Sequence, residues 1–168
     1  MIDLKKHIVY PGQFIITSAP TLISTVLGSC VSVCLWDKEK GIGAMNHYLL
    51  PGTSDDNAGD PNRGLTSTRM LIRSLINRKV NPENLEAKVF GGCNSLYINN
   101  DLFRVGERNV TVALEVLKNH HVAVTAQHTG GNQGRKIVFN TSTGKVRMRL
   151  LNKTTVEVNE EIHKGFGY

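Results

Sequence analysis

No uninterrupted apolar run in this chain of 168 residues reaches the roughly 18 that a membrane span needs. The fairly apolar stretch from Ile8 to Trp36 is broken by Pro11, Gly12, Gln13, Ser18 and Pro20, so it predicts no membrane insertion. A secretory leader is not expected either, because the Lys5-Lys6 cluster leads straight into that broken stretch. Location in the cytoplasm follows as an expectation. Cysteine is scarce and odd in number, with only Cys30, Cys34 and Cys93, which argues against a disulfide framework and leaves thiols to account for. Aromatic residues make up 6% of the chain, and none interleave with the basic residues Lys136, Lys145, Arg147, Arg149 and Lys153, as a stacking platform for bases requires. The net charge of +6 therefore favours an acidic protein partner over nucleic acid.

The length suits one domain with a single substantial core. Residues 1–152 read as that domain and 153–168 as a polar tail. Short strands are predicted at Phe14–Ile16, Leu22–Leu27, Val31–Trp36 and Gly43–Leu50, the last two joined as a hairpin through Asp37–Gly41. Thr53 to Gly64 is polar and rich in turn residues, so it reads as a long loop. Leu71, Ile72, Leu75 and Ile76 recur at helical spacing with Thr66 or Ser67 as N-cap, and Val110, Ala113, Leu114 and Leu117 give a second helix after Gly106. Strands at Ala87–Phe90 and Val122–Ala126 and a hairpin of Lys136–Phe139 with Lys145–Leu150 complete the pattern. Many strands, two helices and mostly hairpin connections predict an α+β layered sandwich.

The candidate chemistry centres on Cys30, which sits where a Gly28-Ser29 turn meets a strand. His47 lies on the predicted partner strand, and a hairpin brings such residues side by side. A neighbouring imidazole is what a weakly acidic thiol needs to act as a nucleophile near neutral pH. Two blander readings stand beside it: a buried thiol with a satisfied histidine, and a metal site in which Cys30 and Cys34 are joined by His47, Cys93 or His128. The paired-ligand spacings of structural zinc are absent, so no metal and no cofactor is expected. The segment Thr129–Lys136 (TGGNQGRK) suggests a phosphate loop but lacks the Gly-Lys-Ser/Thr ending and a following helix. It reads as the glycine-rich rim of a site or as a mobile turn.

Several segments together resemble one family. They are LGSCVSVCL at 27–35, GIGAMNHYLLP at 41–51, KVFGG at 88–92, VGERN at 105–109, and Gly130-Gly131 followed by Gly134-Arg135-Lys136. In this order, from Phe14 to Arg149, the chain resembles the chemoreceptor glutamine deamidase family, CheD. The resemblance implies a three-layer α/β/β sandwich related to the catalytic domain of the cytotoxic necrotizing factor toxins. It also implies a cysteine hydrolase that converts glutamines of methyl-accepting chemoreceptors to glutamate, releasing ammonia through a thioester in chemotaxis adaptation. Hydrolysis of glutamate methyl esters on the same receptors would use the same machinery. By position, the family nucleophile falls on Cys30, its histidine on His47 and its hydroxyl residue on Ser24, with Thr25 taking that place if the strand register differs. Gly28 and Ser29 form the turn, the backbone amides of Gly28-Ser29-Cys30 are natural oxyanion donors, and Thr25, Asn46, Gly130, Gly131 and Arg135 would contact substrate. The resemblance also implies a different role, as a regulatory module bound to the phosphatase CheC. Three departures bear on substrate preference or partner binding. Gln127-His128 stands where the family often has an acidic pair, Cys93 stands where it often has alanine, and a tyrosine expected between Arg63 and Arg69 is missing.

Overall fold

The computed structural model describes residues 4–53, 59–94 and 104–152. The strands are β1 (Lys5–Ile8), β2 (Phe14–Thr17), β3 (Thr21–Leu27), β4 (Val31–Asp37), β5 (Ile42–Asn46), β6 (Leu85–Gly91), β7 (Ala123–Thr129), β8 (Arg135–Asn140) and β9 (Val146–Leu150). Helix α1 is Gly64–Asn77 and helix α2 is Val105–Asn119. The strands form a four-stranded sheet in the order β1-β3-β8-β9 and a five-stranded sheet in the order β2-β5-β4-β6-β7.

Residue alternation explains the three layers. Along β4, Val31, Val33 and Leu35 face the helices and join Leu71, Ile72, Leu75, Ala113 and Leu117 in one core. Cys34 on the same strand faces the other way and joins Ile23, Leu27, Ile137 and Phe139 in a second core between the sheets. Helices, five-stranded sheet and four-stranded sheet thus stack as α/β/β, the architecture expected above. Among the described residues, no element covers the outer face of the four-stranded sheet. This is why β3 alternates between buried and half-buried residues while β4, packed on both faces, is almost uniformly buried.

Several boundaries differ from expectation for local reasons. Strand β1 carries four exposed residues, Lys-Lys-His-Ile, with none of the alternation that marks a half-buried strand, and it is held by parallel pairing to β3. Strand β5 ends at Asn46 instead of Leu50. The Asn46 carboxamide oxygen accepts the Val33 amide at 2.8 Å and thereby takes the place of a ladder bond. Pairing returns at an isolated bridge between Val31 and Tyr48. Helix α1 begins at Gly64, two to three residues before the expected cap, and Ser67 is buried inside it. Gly64 has to be small there, because a Cβ would fall 2.3 Å from the Tyr48 ring. Part of the loop from Thr53 to Gly64, and the tail from residue 153, lie outside the described residues.

Candidate active site

Cys30 leaves the Gly28-Ser29 bend immediately before β4 and is half-buried. The register Cys34↔Met45 and Val31↔Tyr48 sets Ser32 opposite His47. Cys30 and His47 are therefore diagonal neighbours on one face of the β4–β5 ladder, with backbones about 7–8 Å apart. That face looks into the space between the sheets, where Cys30 packs against the second core. Burial pushes the Cys30 thiol up to about 11, only partly offset by its own backbone amide, which favours the thiolate. The resting group is a neutral thiol, so attack on a substrate requires a base.

His47 is buried, and its Nδ1 lies 2.8 Å from Thr25 Oγ1. The Thr25 hydroxyl has one proton and donates it to the Val9 carbonyl at 2.7 Å. Its oxygen can then only accept from the ring, so Nδ1 carries the hydrogen. The same Val9 carbonyl, itself only an acceptor, lies 3.4 Å from Nδ1 and calls for the same tautomer. Nε2 is left with the lone pair, the form a histidine needs to take a proton from a thiol. The buried Val9 carbonyl is a functional group that no reading of side chains would find.

The expected third residue, Ser24, is corrected by this geometry. Thr25 alternates inward with Ile23 and Leu27, whereas half-buried Ser24 faces outward, opposite Ile8 and Val138 on the neighbouring strands. Thr25 is the hydroxyl brought to His47.

Other expected site residues are used structurally. Asn46 is fully buried with its side chain aimed toward α1, where Nδ2 donates to Ser67 Oγ at 3.1 Å, so it is closed to substrate. Arg135 is also buried. Its guanidinium donates to the carbonyls of His128, Gly130 and Gln133 and to His128 Nδ1, so it supports the glycine loop from within instead of meeting a ligand. Gly130 and Gly131 stand at φ of +74° and +73° with open space where a Cβ would be, and the Gly130 amide bonds to the Gly91 carbonyl at 3.0 Å. They form a rim on the same end of the sheets as Cys30. Gly28 has no positive φ, and a Cβ on it would meet only Cys93 Sγ at 4.0 Å, so its turn does not require glycine. Gly91 does need to be glycine: it stands at φ +115°, and a Cβ there would lie 2.1 Å from the Cys30 carbonyl oxygen. Among the described residues, no group of three or more His, Cys, Asp or Glu is placed to hold a metal ion.

A family model described as CheD chemotactic sensory transduction matches residues 49–150. Relatives extend the match across most of the chain, including Cys30 and His47 in its span. The chain is 39% identical over 143 residues to a protein of Trichlorobacter lovleyi described as "Probable chemoreceptor glutamine deamidase CheD", covering 85% of this chain and 89% of that one.

This chain belongs to the CheD family.

A Sulfurimonas denitrificans CheD protein of the same description is 34% identical over 155 residues, covering 91% of this chain and 99% of its own. Among solved structures, the Bacillus licheniformis protein YfiH matches at a TM-score of 0.46 and 13% identity, covering 70% of this chain and 49% of that one. Among the described residues, no helix is long and apolar enough to cross a membrane.

Proposed function

We propose that this CheD protein deamidates glutamine side chains of bacterial chemoreceptors, working on their cytoplasmic segments. The observation that carries the reading is the chain of contacts from the Val9 carbonyl through Thr25 to His47 Nδ1, which leaves Nε2 basic on the face it shares with Cys30. His47 takes the thiol proton as sulfur attacks the carboxamide carbon, giving a tetrahedral oxyanion. The imidazolium returns the proton to nitrogen, the C–N bond breaks, and ammonia leaves behind a thioester. Water, deprotonated by the same Nε2, attacks the thioester and releases glutamate and the Cys30 thiol. Thr25 and the Val9 carbonyl hold the ring and stabilise its charged form, as the third member of a catalytic triad does.

The surface charge suits an acidic protein substrate. Lys136 and Arg149 are directly paired across β8 and β9, and with Arg147 they alternate away from the core onto the outer face of the four-stranded sheet. No Asp or Glu occurs in β1, β3, β8 or β9. Like charges facing one another on an open sheet cost stability, which an acidic partner would relieve. This basic end of the sheet lies next to Leu27, from which the chain enters the Cys30 turn.

The test is mass spectrometry of receptor cytoplasmic fragments incubated with the wild-type protein or with Cys30→Ala. Glutamine-to-glutamate conversion with the wild type alone is expected. Conversion by neither protein, or equally by both, overturns the proposal.

A further inference from the structure

Asn109, in the second turn of α2, is fully buried and outside the residues assigned to the reaction so far. Its Nδ2 donates one hydrogen to the Ser29 carbonyl at 2.9 Å and the other to the Leu49 carbonyl at 2.9 Å. The first carbonyl belongs to the residue before the nucleophile, the second to a residue two positions after the histidine. Tyr48, between His47 and Leu49, donates its hydroxyl to the Asn109 backbone carbonyl at 2.6 Å. One residue of α2 therefore ties together the two segments that carry the reactive groups. Among the described residues, its buried carboxamide oxygen has no hydrogen-bond partner. A buried orphan acceptor costs stability, and an apolar side chain of the same shape would avoid that cost.

The direction of the Ser29 bond gives the arrangement a chemical meaning. In a trans peptide the carbonyl and the amide hydrogen point in opposite directions. Holding the Ser29 carbonyl toward α2 turns the Cys30 amide away from the helix, toward the inter-sheet side on which Cys30 packs. On the other side of the nucleophile, the Cys30 carbonyl accepts the Gly92 amide at 2.8 Å. Both flanking peptides are thus held, and the Cys30 N–H is presented beside the atom that attacks. A substrate carbonyl bonded to that sulfur develops its negative charge within reach of this amide.

We infer that Asn109 is a positioning residue that aims the Cys30 backbone amide as an oxyanion donor. This rests on the deamidase reading above. Asn109 acts chiefly on the tetrahedral oxyanion, and its hold on the thiolate through the same amide is the smaller effect.

The experiment compares Asn109→Leu with the wild type in two reactions. The first is ammonia release from a receptor cytoplasmic fragment, read as kcat and KM. The second is alkylation of Cys30 by iodoacetamide, in which sulfur attacks a saturated carbon and no oxyanion forms. The expected result is a kcat lowered by about 100-fold or more with KM nearly unchanged, and an alkylation rate that falls far less than kcat does. A kcat close to wild type overturns the inference. A parallel loss of kcat and alkylation also overturns it, because the turn would then have moved as a whole. Asn109→Ala, which leaves room for water at both carbonyls, is measured alongside and decides the matter by the same criteria if the leucine variant does not fold. A wild type that alkylates normally but releases no ammonia removes the deamidase reading itself, and the inference with it.

Discussion

Thr25 and His47, 22 residues apart and on different sheets, meet at 2.8 Å through a single hydroxyl whose own proton is committed to a backbone carbonyl. The contact crosses the layer between the sheets, so the two halves of the sandwich must dock before the imidazole has its tautomer. On the proposed mechanism, catalytic competence is a property of the assembled layers.

Thr25→Ala therefore lowers kcat by about tenfold or more, the value of one buried hydrogen bond to a group that becomes charged. Thr25→Ser retains the hydroxyl and most of the activity. Ser24→Ala, on the outer face, stays within about twofold of wild type. Steady-state ammonia release from the three variants checks this. A silent Thr25→Ala beside an impaired Ser24→Ala would reverse the assignment.

Cys30→Ala abolishes ammonia release while the circular dichroism spectrum is preserved. His47→Ala lowers the rate by about 100- to 10,000-fold, the range of a lost general base. Cys34, buried on the strand that follows Cys30, has a thiol pushed up to about 12 by burial, and Cys34→Ala changes the rate little. An inactive, folded Cys34 variant would identify the wrong sulfur.

Replacement of Arg135 affects stability before it affects binding. Arg135→Met strands the carbonyls of His128 and Gly130, each worth about 1–3 kcal/mol when left unsatisfied in a buried place. A lower Tm and faster proteolysis at Gly130-Gly131 are expected in a thermal melt and a limited digest. A higher KM with an unchanged melting temperature would return Arg135 to the substrate.

Alkali tests the burial of the thiols. Cys30 is raised to about 11 and Cys34 to about 12 from an ordinary value of 9.0, so the unfolded chain ionises first. Stability from the neutral buried thiols is complete below about pH 9 and is lost as pH rises through 11 to 12. Denaturant melts across that window, compared between wild type and Cys34→Ala, should show a shallower decline in the variant. Equal slopes would place the Cys34 sulfur in a more polar setting.

Charge reversal on the open sheet face separates docking from chemistry. Lys136→Glu combined with Arg149→Glu raises KM for a receptor fragment at low salt and leaves kcat in place. Added salt narrows the difference between variant and wild type, because exposed charges are screened within about 10 Å at 0.1 M. A KM indifferent to both changes would remove that sheet face from substrate binding.

The sequence carried the layered sandwich because its main strands and both helices have apolar residues at the right period. That Cys30 and His47 fall on one face was legible for the same reason: a polar turn between two strand patterns sets the hairpin, and the hairpin sets the face. Ser24 and Thr25 could not be told apart that way. Leu22–Leu27 has apolar residues on both faces, with Leu22 and Val26 on one and Ile23 and Leu27 on the other, and only packing against the second sheet selects the inward set. Asn46 and Arg135 look like site residues because they are polar in motif segments. Their hydrogen bonds run to the protein's own framework, and composition is silent about direction. Asn109 has the opposite character. An asparagine in a helix usually reads as a surface residue, and only the approach of two loops reveals what its carboxamide holds.

The Val9 carbonyl has a practical consequence for how this protein is dissected. Replacing Val9 by another amino acid keeps the C=O group, so a side-chain survey would register the loss of its buried packing and miss its part in setting the imidazole proton. Deleting or displacing the first strand would remove that acceptor while leaving every reactive side chain in the gene. N-terminal truncations and tightly fused tags are therefore expected to silence the enzyme more thoroughly than most point changes near the sulfur.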